Sequence, residues 1–148
     1  MHDKHVQPGR QILIVEDHPE SLELMQMILE LEGYQVQTAE TGRDAVETVT
    51  TASADEASDF HLDLILLDLR LPDMNGVEVV KELQENLPEV PPVIILSADP
   101  PQSLKEAARS VGATALRKPF EFDDLVQAIR RALTKAATAI TVILSIAG

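Results

Sequence analysis

Strand-length apolar runs that alternate with segments of helical period leave few folds open to this chain. The runs are Ile12–Val15, Gln35–Thr38, Leu62–Leu67, Val93–Leu96 and Ala113–Leu116. The first, third and fourth are nearly continuous Val, Ile and Leu, a composition suited to strands covered on both faces rather than to half-exposed ones. Successive strands separated by helices are joined by crossovers, so the pattern predicts an α/β domain with a parallel sheet, (βα)5 in order.

The intervening segments carry helix start and stop signals. Pro19–Glu32 places Leu22, Met25, Ile28 and Leu29 on one face, with Pro early and Gly33 just after. Gly42 to about Ala52 is a weaker second helix, and Thr51–Phe60, rich in Ser, Ala and Asp, reads as an extended loop. Val77–Asn86 is a third helix. A fourth runs over Ser103–Ser110 after the Asp99-Pro100-Pro101 break, and a fifth starts near Glu121 with Asp123 and Asp124 in its first turn, where negative charge suits the helix dipole. The expected layout is an extension over 1–10, a domain over 11–134 and an apolar tail over 135–148.

Composition removes several classes of function. Twelve Lys and Arg against 25 Asp and Glu give a net charge of -13, which repels a polyanion, so direct nucleic-acid binding is not expected. The absence of Cys excludes disulfides, thiolate metal sites and a cysteine nucleophile, and fits a reducing compartment. Residues 1–10 have no apolar stretch of the kind a secretory signal needs, and the uncharged stretch after Lys135 is shorter than the roughly 20 residues of a spanning helix. A cytoplasmic protein with no membrane span is expected.

In open parallel sheets, ligands bind beyond the carboxyl ends of the strands, where the strand order reverses. Strand 1 ends in Glu16-Asp17, strand 3 in Asp68, strand 4 in Ser97 and strand 5 in Arg117-Lys118-Pro119. Three carboxylates brought to one edge repel unless a cation sits among them. Hard oxygen ligands suit Mg²⁺, which leaves coordination positions for phosphate oxygens. A carboxylate beside Mg²⁺ can act as a nucleophile toward phosphorus, while Lys118 and Ser97 offer a charge and a hydroxyl to phosphoryl oxygens. Each feature has a plainer structural reading, as helix cap, turn or strand-end hydroxyl; their joint occurrence in order is what carries weight. Met25 and Met27 read as helix packing, and the four His as surface groups, with His18 beside the acidic pair but not required as a ligand.

With these residues in place, the chain resembles a response-regulator receiver domain of two-component signalling over roughly Arg10–Thr134. The matching segments are Ile12-Leu13-Ile14-Val15-Glu16-Asp17, Leu64-Ile65-Leu66-Leu67-Asp68 with its loop Leu69-Arg70-Leu71-Pro72-Asp73-Met74-Asn75-Gly76, Ser97-Ala98, and Lys118-Pro119. The resemblance implies a flavodoxin-like, doubly wound five-stranded sheet in the order 2-1-3-4-5. It also implies that Asp68 is the phosphoacceptor, aided by Ser97 and Lys118. The implied Mg²⁺ ligands are Asp17 directly, Glu16 through water, Asp68, and the Arg70 backbone carbonyl. The phosphodonor would be a sensor histidine kinase or a phosphotransfer protein, and the domain a signalling switch rather than a metabolic enzyme. Pro119 can be read as a rigid turn or as part of a cis Lys118-Pro119 peptide that aims the Lys, and the resemblance favours the second.

The sequence departs from that family at Ala115, where many receivers carry an aromatic residue three positions before the Lys, so an aromatic relay to the face of helix 4, strand 5 and helix 5 is not available. Arg70 and Asp99 flank the acceptor, either as an ion pair that gates the attacking water or as two exposed loop charges. In the tail, Phe122, Val126, Ile129, Leu133, Ala136, Ile140, Ile143 and Ala147 keep a 4-3 spacing that would prolong helix 5 and offer a seam to a second copy. An edge strand or an unstructured end are the other readings of Thr138–Ile146. With few residues after Thr134, output is expected through protein contact with an unidentified downstream partner, a relay step or a homodimer. A fold-retaining interaction module without phosphorylation, and a flavin protein of the same topology, are the competing functions. The second is disfavoured because carboxylates follow strand 1 where a phosphate loop would stand.

Overall fold

The computed structural model describes residues 9–54 and 61–147, with side chains through Ala136. Ten elements alternate along the chain: β1 (Gln11–Val15), α1 (Pro19–Leu31), β2 (Gln35–Ala39), α2 (Gly42–Ala54), β3 (Leu64–Asp68), α3 (Gly76–Asn86), β4 (Val93–Ser97), α4 (Pro101–Ser110), β5 (Thr114–Arg117) and α5 (Phe122–Ala147). All pairings are parallel, and the strand order is β2-β1-β3-β4-β5, the predicted doubly wound α/β arrangement.

The pleat explains the two cores. Leu13, Val15, Ile65, Leu67, Val93 and Ile95 face α2, α3 and α4. The alternate residues Ile12, Ile14, Leu64, Leu66, Ile94 and Leu96 face α1 and α5. Burial on both faces is why β1, β3 and β4 are continuous in apolar residues, each fully buried side chain contributing about 1.5–3 kcal/mol. At the edges, β2 and β5 are mostly exposed, which accounts for their weaker apolar signal.

Some boundaries differ from the sequence expectation. Thr51–Ala54 continue α2 instead of opening a loop, because Val49 is buried and nothing in the following Ala- and Thr-rich turn breaks the helix; the rest of the predicted loop, 55–60, lies outside the described residues. Helix α4 starts at Pro101, since proline's missing N–H is tolerated in a first turn. Helix α5 runs 26 residues to Ala147, so the tail is helical and not an edge strand. The side chains at Ile140, Ile143 and Ala147, like residues 1–8 of the extension, lie outside the described set. Among the described residues, no helix is long and apolar enough to cross a membrane.

Register delivers the site. Val15 pairs with Leu67, and Asp68 with Leu96, so Glu16, Asp68 and Ser97 emerge side by side at the carboxyl edge of the three central strands.

Candidate functional site: an acidic pocket at the carboxyl edge

Glu16 is fully buried, with its N–H donating to the Ala39 carbonyl at 3.0 Å, which extends the β1–β2 ladder by one bond. Its carboxylate accepts from Lys118 Nζ at 2.6 Å and from the His18 N–H at 3.2 Å. Burial alone would push this carboxyl up, but the Lys118 hydrogen bond and charge, joined by His18, outweigh it and hold the group at about 2.

Asp68 ends β3 and is 5% exposed. Its Oδ1 accepts from the Arg70 N–H at 3.2 Å and its Oδ2 lies 3.4 Å from Lys118 Nζ. Its carboxyl is pushed up, first by burial and further by the neighbouring Glu16; Lys118 and the Arg70 N–H offset this only in part. Lys118 follows β5, where the Lys118–Pro119 peptide is cis, and its N–H bonds the Ser97 carbonyl at 2.9 Å. Burial disfavours its charge, yet Glu16 and Asp68 raise its pKa. One ammonium thus answers two carboxylates, and it leans toward Glu16.

Asp17 supplies the third carboxylate. Its Oδ1 is buried and accepts no hydrogen bond; His18 Nδ1 stands 3.4 Å away without bonding it. Ligand atoms from Glu16, Asp17, His18 and Asp68 lie within 4.8 Å of one another. An orphaned carboxylate oxygen amid other hard oxygens fits a divalent cation such as Mg²⁺. His18 itself is exposed, and its pKa is raised by the Glu16 hydrogen bond and by the charges of Asp17 and Glu16.

Two loops wall the pocket. Ser97 is buried, its Oγ accepting from the Asp99 N–H at 2.9 Å, and Asp99 Oδ2 receives Arg70 Nη2 at 2.6 Å. The Arg70–Asp99 ion pair is therefore formed, and joins the β3–α3 and β4–α4 loops. Gly76 lets α3 start against the end of β3: a Cβ there would stand 3.0 Å from the Asp68 carbonyl oxygen and 3.2 Å from Leu69 Cα.

Sequence reasoning placed Glu16, Asp17, Asp68, Ser97 and Lys118 at one edge, and they meet there. It missed Asp73, which accepts from the Gly42 and Arg43 N–H groups at 2.8 and 2.9 Å and so caps α2 from the β3–α3 loop. The only signal was a Pro-Asp turn, which gives no hint of a partner 31 residues away. It also missed Asp99 as a junction, since its backbone carbonyl accepts from Arg117 Nε at 3.0 Å.

Known proteins resemble this chain in sequence and fold. The response regulator receiver domain profile matches residues 12–130. The transcriptional regulatory protein KdpE of Mycobacterium tuberculosis is 35% identical over 129 residues, covering 86% of this chain and 53% of KdpE. Thus the chain spans about half the length of that curated relative. Among solved structures, the signal receiver domain of a putative LuxO repressor protein from Vibrio parahaemolyticus is 30% identical with a TM-score of 0.75, covering 90% of this chain and 97% of that one. The chemotaxis protein CheY4 of Vibrio cholerae is 28% identical with a TM-score of 0.73, covering 84% and 99%. Profile, relatives and fold agree, and the chain belongs to the response regulator receiver domain family of two-component signalling.

Proposed function

We propose that Asp68 accepts a phosphoryl group from the phosphohistidine of a sensor histidine kinase or phosphotransfer protein, and that the modified domain signals through protein contact. The observation that carries this reading is the meeting of a buried Asp68, the orphaned Asp17 oxygen and the Lys118 ammonium at one strand edge. In the transfer, an Asp68 carboxylate oxygen attacks phosphorus, the N–P bond breaks, and the imidazole leaves with a proton from solvent; the product is an acyl phosphate. Lys118 receives the charge of a phosphoryl oxygen, and the Ser97 hydroxyl, already fixed by the Asp99 N–H, donates to another. Asp17, Asp68, the Arg70 carbonyl and, through water, Glu16 would hold Mg²⁺, which when bound offsets carboxylate repulsion and the charge on the phosphoryl oxygens. The Arg70–Asp99 pair restricts water at the mouth and slows hydrolysis. The cytoplasm is the compartment where such a donor is found, and the prolonged α5 is the surface through which two copies would associate.

Intact mass after incubation with acetyl phosphate and Mg²⁺ tests the reading. A phosphoryl adduct in the wild type and none in Asp68→Asn is expected. An adduct retained by Asp68→Asn moves the acceptor elsewhere, and none in either protein favours the phosphorylation-independent interaction module.

A further inference from the structure

Among the described residues, His18 is the one imidazole at the acidic pocket; His61 lies at the other end of β3, beside Asp63. The His18 backbone is held on both sides. Its N–H donates to Glu16 Oε2 at 3.2 Å, and its carbonyl accepts the Leu22 N–H at 3.0 Å as α1 begins at Pro19. The side chain is thereby carried over the carboxylates, with Nδ1 3.2 Å from Glu16 Oε2 and 3.4 Å from Asp17 Oδ1. Glu16 gives its other oxygen, Oε1, to Lys118, so Oε2 stays turned to His18.

These are the spacings of neighbouring ligands around one ion. Two donor atoms each about 2.1 Å from a metal, at angles between octahedral and tetrahedral, stand about 3.0–3.4 Å apart. The donors of Glu16, Asp17, His18 and Asp68 all fall within 4.8 Å of one another, against about 4.2 Å for opposed ligands on one ion, so small side-chain rotations close the set. Asp17 Oδ1, buried and without a hydrogen bond, is the atom to which the fold gives no other partner. A proton on Nδ1 answers Glu16 by hydrogen bonding, whereas a metal ion in its place answers Nδ1, Asp17 and Asp68 together. The His18 side chain is 73% exposed, so an ion reaches Nδ1 from solvent without opening the fold.

We propose that His18 Nδ1 is a metal ligand that makes this pocket a site for a nitrogen-seeking transition metal ion such as Zn²⁺, held with Asp17, Asp68 and the Oε2 atom of Glu16. The inference rests on the reading of the pocket as a Mg²⁺ site, and adds a donor that Mg²⁺ does not use. Imidazole suits Zn²⁺, Ni²⁺ and Cu²⁺, whereas Mg²⁺ prefers oxygen ligands and keeps several waters. His18 therefore sets selectivity, strengthening the hold on the first group and leaving Mg²⁺ almost untouched. Because both kinds of ion use Asp17 and Asp68, they exclude one another, and Zn²⁺ ties up the carboxylate that phosphoryl acceptance needs.

Isothermal titration of the full chain with Zn²⁺ and, separately, with Mg²⁺ at about pH 8, where imidazole is neutral, provides the test. Zn²⁺ affinity should fall at least about tenfold in His18→Ala and in Asp17→Asn and change less than about twofold in His61→Ala, while Mg²⁺ affinity should fall in Asp17→Asn alone. Zn²⁺ should also shift the His18 Nδ1 resonance in imidazole ¹⁵N spectra. The His18 side chain is exposed and makes no capping bond to α1, so a melting temperature close to that of the wild type in metal-free buffer verifies that His18→Ala folds. Equal Zn²⁺ affinity in wild type and His18→Ala, with Mg²⁺ still bound, overturns the role of His18 and leaves the Mg²⁺ reading in place. So does Zn²⁺ binding that Asp17→Asn does not weaken, which puts the ion outside the pocket. An equal loss of Mg²⁺ affinity in His18→Ala makes the residue a general support of the pocket and overturns the selectivity. A wild type that binds neither ion overturns both readings.

Discussion

Replacing Lys118 by Met removes the single positive charge inside the acidic pocket while keeping an apolar stem of similar length. At an effective dielectric of about 20, the gross attraction is about 6 kcal/mol to Glu16 at 2.6 Å and about 5 to Asp68 at 3.4 Å. Much of that is spent on desolvation, and the depression of Glu16 from 4.5 to about 2 is the better guide to its net worth, about 3 kcal/mol. In metal-free buffer at pH 7, Lys118→Met should therefore lose about 3 kcal/mol, or about 10 °C in melting temperature for a domain of this size. The pH dependence has a definite sign. A depressed carboxyl stabilises the fold above its unfolded pKa, so the wild type holds this contribution above about 4.5 and loses it as the pH falls toward 2. In the variant, burial acts on Glu16 without Lys118 to oppose it, so the carboxyl rises and takes a proton in mild acid. Urea unfolding of both proteins between pH 3 and 8 should show a gap that is widest near neutrality and shrinks from mild acid downward, as Glu16 of the variant takes its proton, and further below about pH 4.5 as the wild-type contribution is lost. A gap under about 1 kcal/mol at pH 7, or one that does not narrow in acid, refutes the assignment of Lys118 as the charge that keeps the pocket ionised.

Three further outcomes are expected. Gly76→Ala should destabilise by about 1–3 kcal/mol in denaturant melts, because its methyl meets backbone atoms 3.0 and 3.2 Å away and outweighs the helix-propensity gain; a more stable variant contradicts this. Asp73→Ala should cost about 1 kcal/mol by leaving two α2 N–H groups uncapped, a loss that disappears in acid because the Asp73 carboxyl is depressed chiefly by those N–H groups against a burial cost; a cost unchanged at pH 3 would count against it. Millimolar Mg²⁺ should raise the melting temperature of the wild type and Asp17→Asn should abolish that rise; an equal rise in both removes Asp17 from the ligand set.

The sequence by itself determined the sheet, its parallel sense and the residues at its carboxyl edge. Strand burial on both faces writes itself as continuous Val, Ile and Leu at β1, β3 and β4, and the residue that follows each buried run must emerge at the edge. Local code was also enough to place α3, expected over Val77–Asn86 and found over Gly76–Asn86, although the capping box between Asn75 and Glu78 that starts it emerged only in the structure. It failed for the last turn of α2, where no residue marks a stop and Thr51–Ala54 continue the helix.

What only the tertiary structure decided is which side chain answers which. Lys118 and Glu16 are 102 positions apart and Arg70 and Asp99 are 29 apart. Nothing in composition or periodicity says that Lys118 leans toward Glu16 more closely than toward Asp68, or that Asp73 caps a helix from another loop. These pairings depend on sheet register and on which flank of a helix turns to its neighbour. Both are fixed by packing the two apolar cores, and the polar partners are then set by where that packing leaves them.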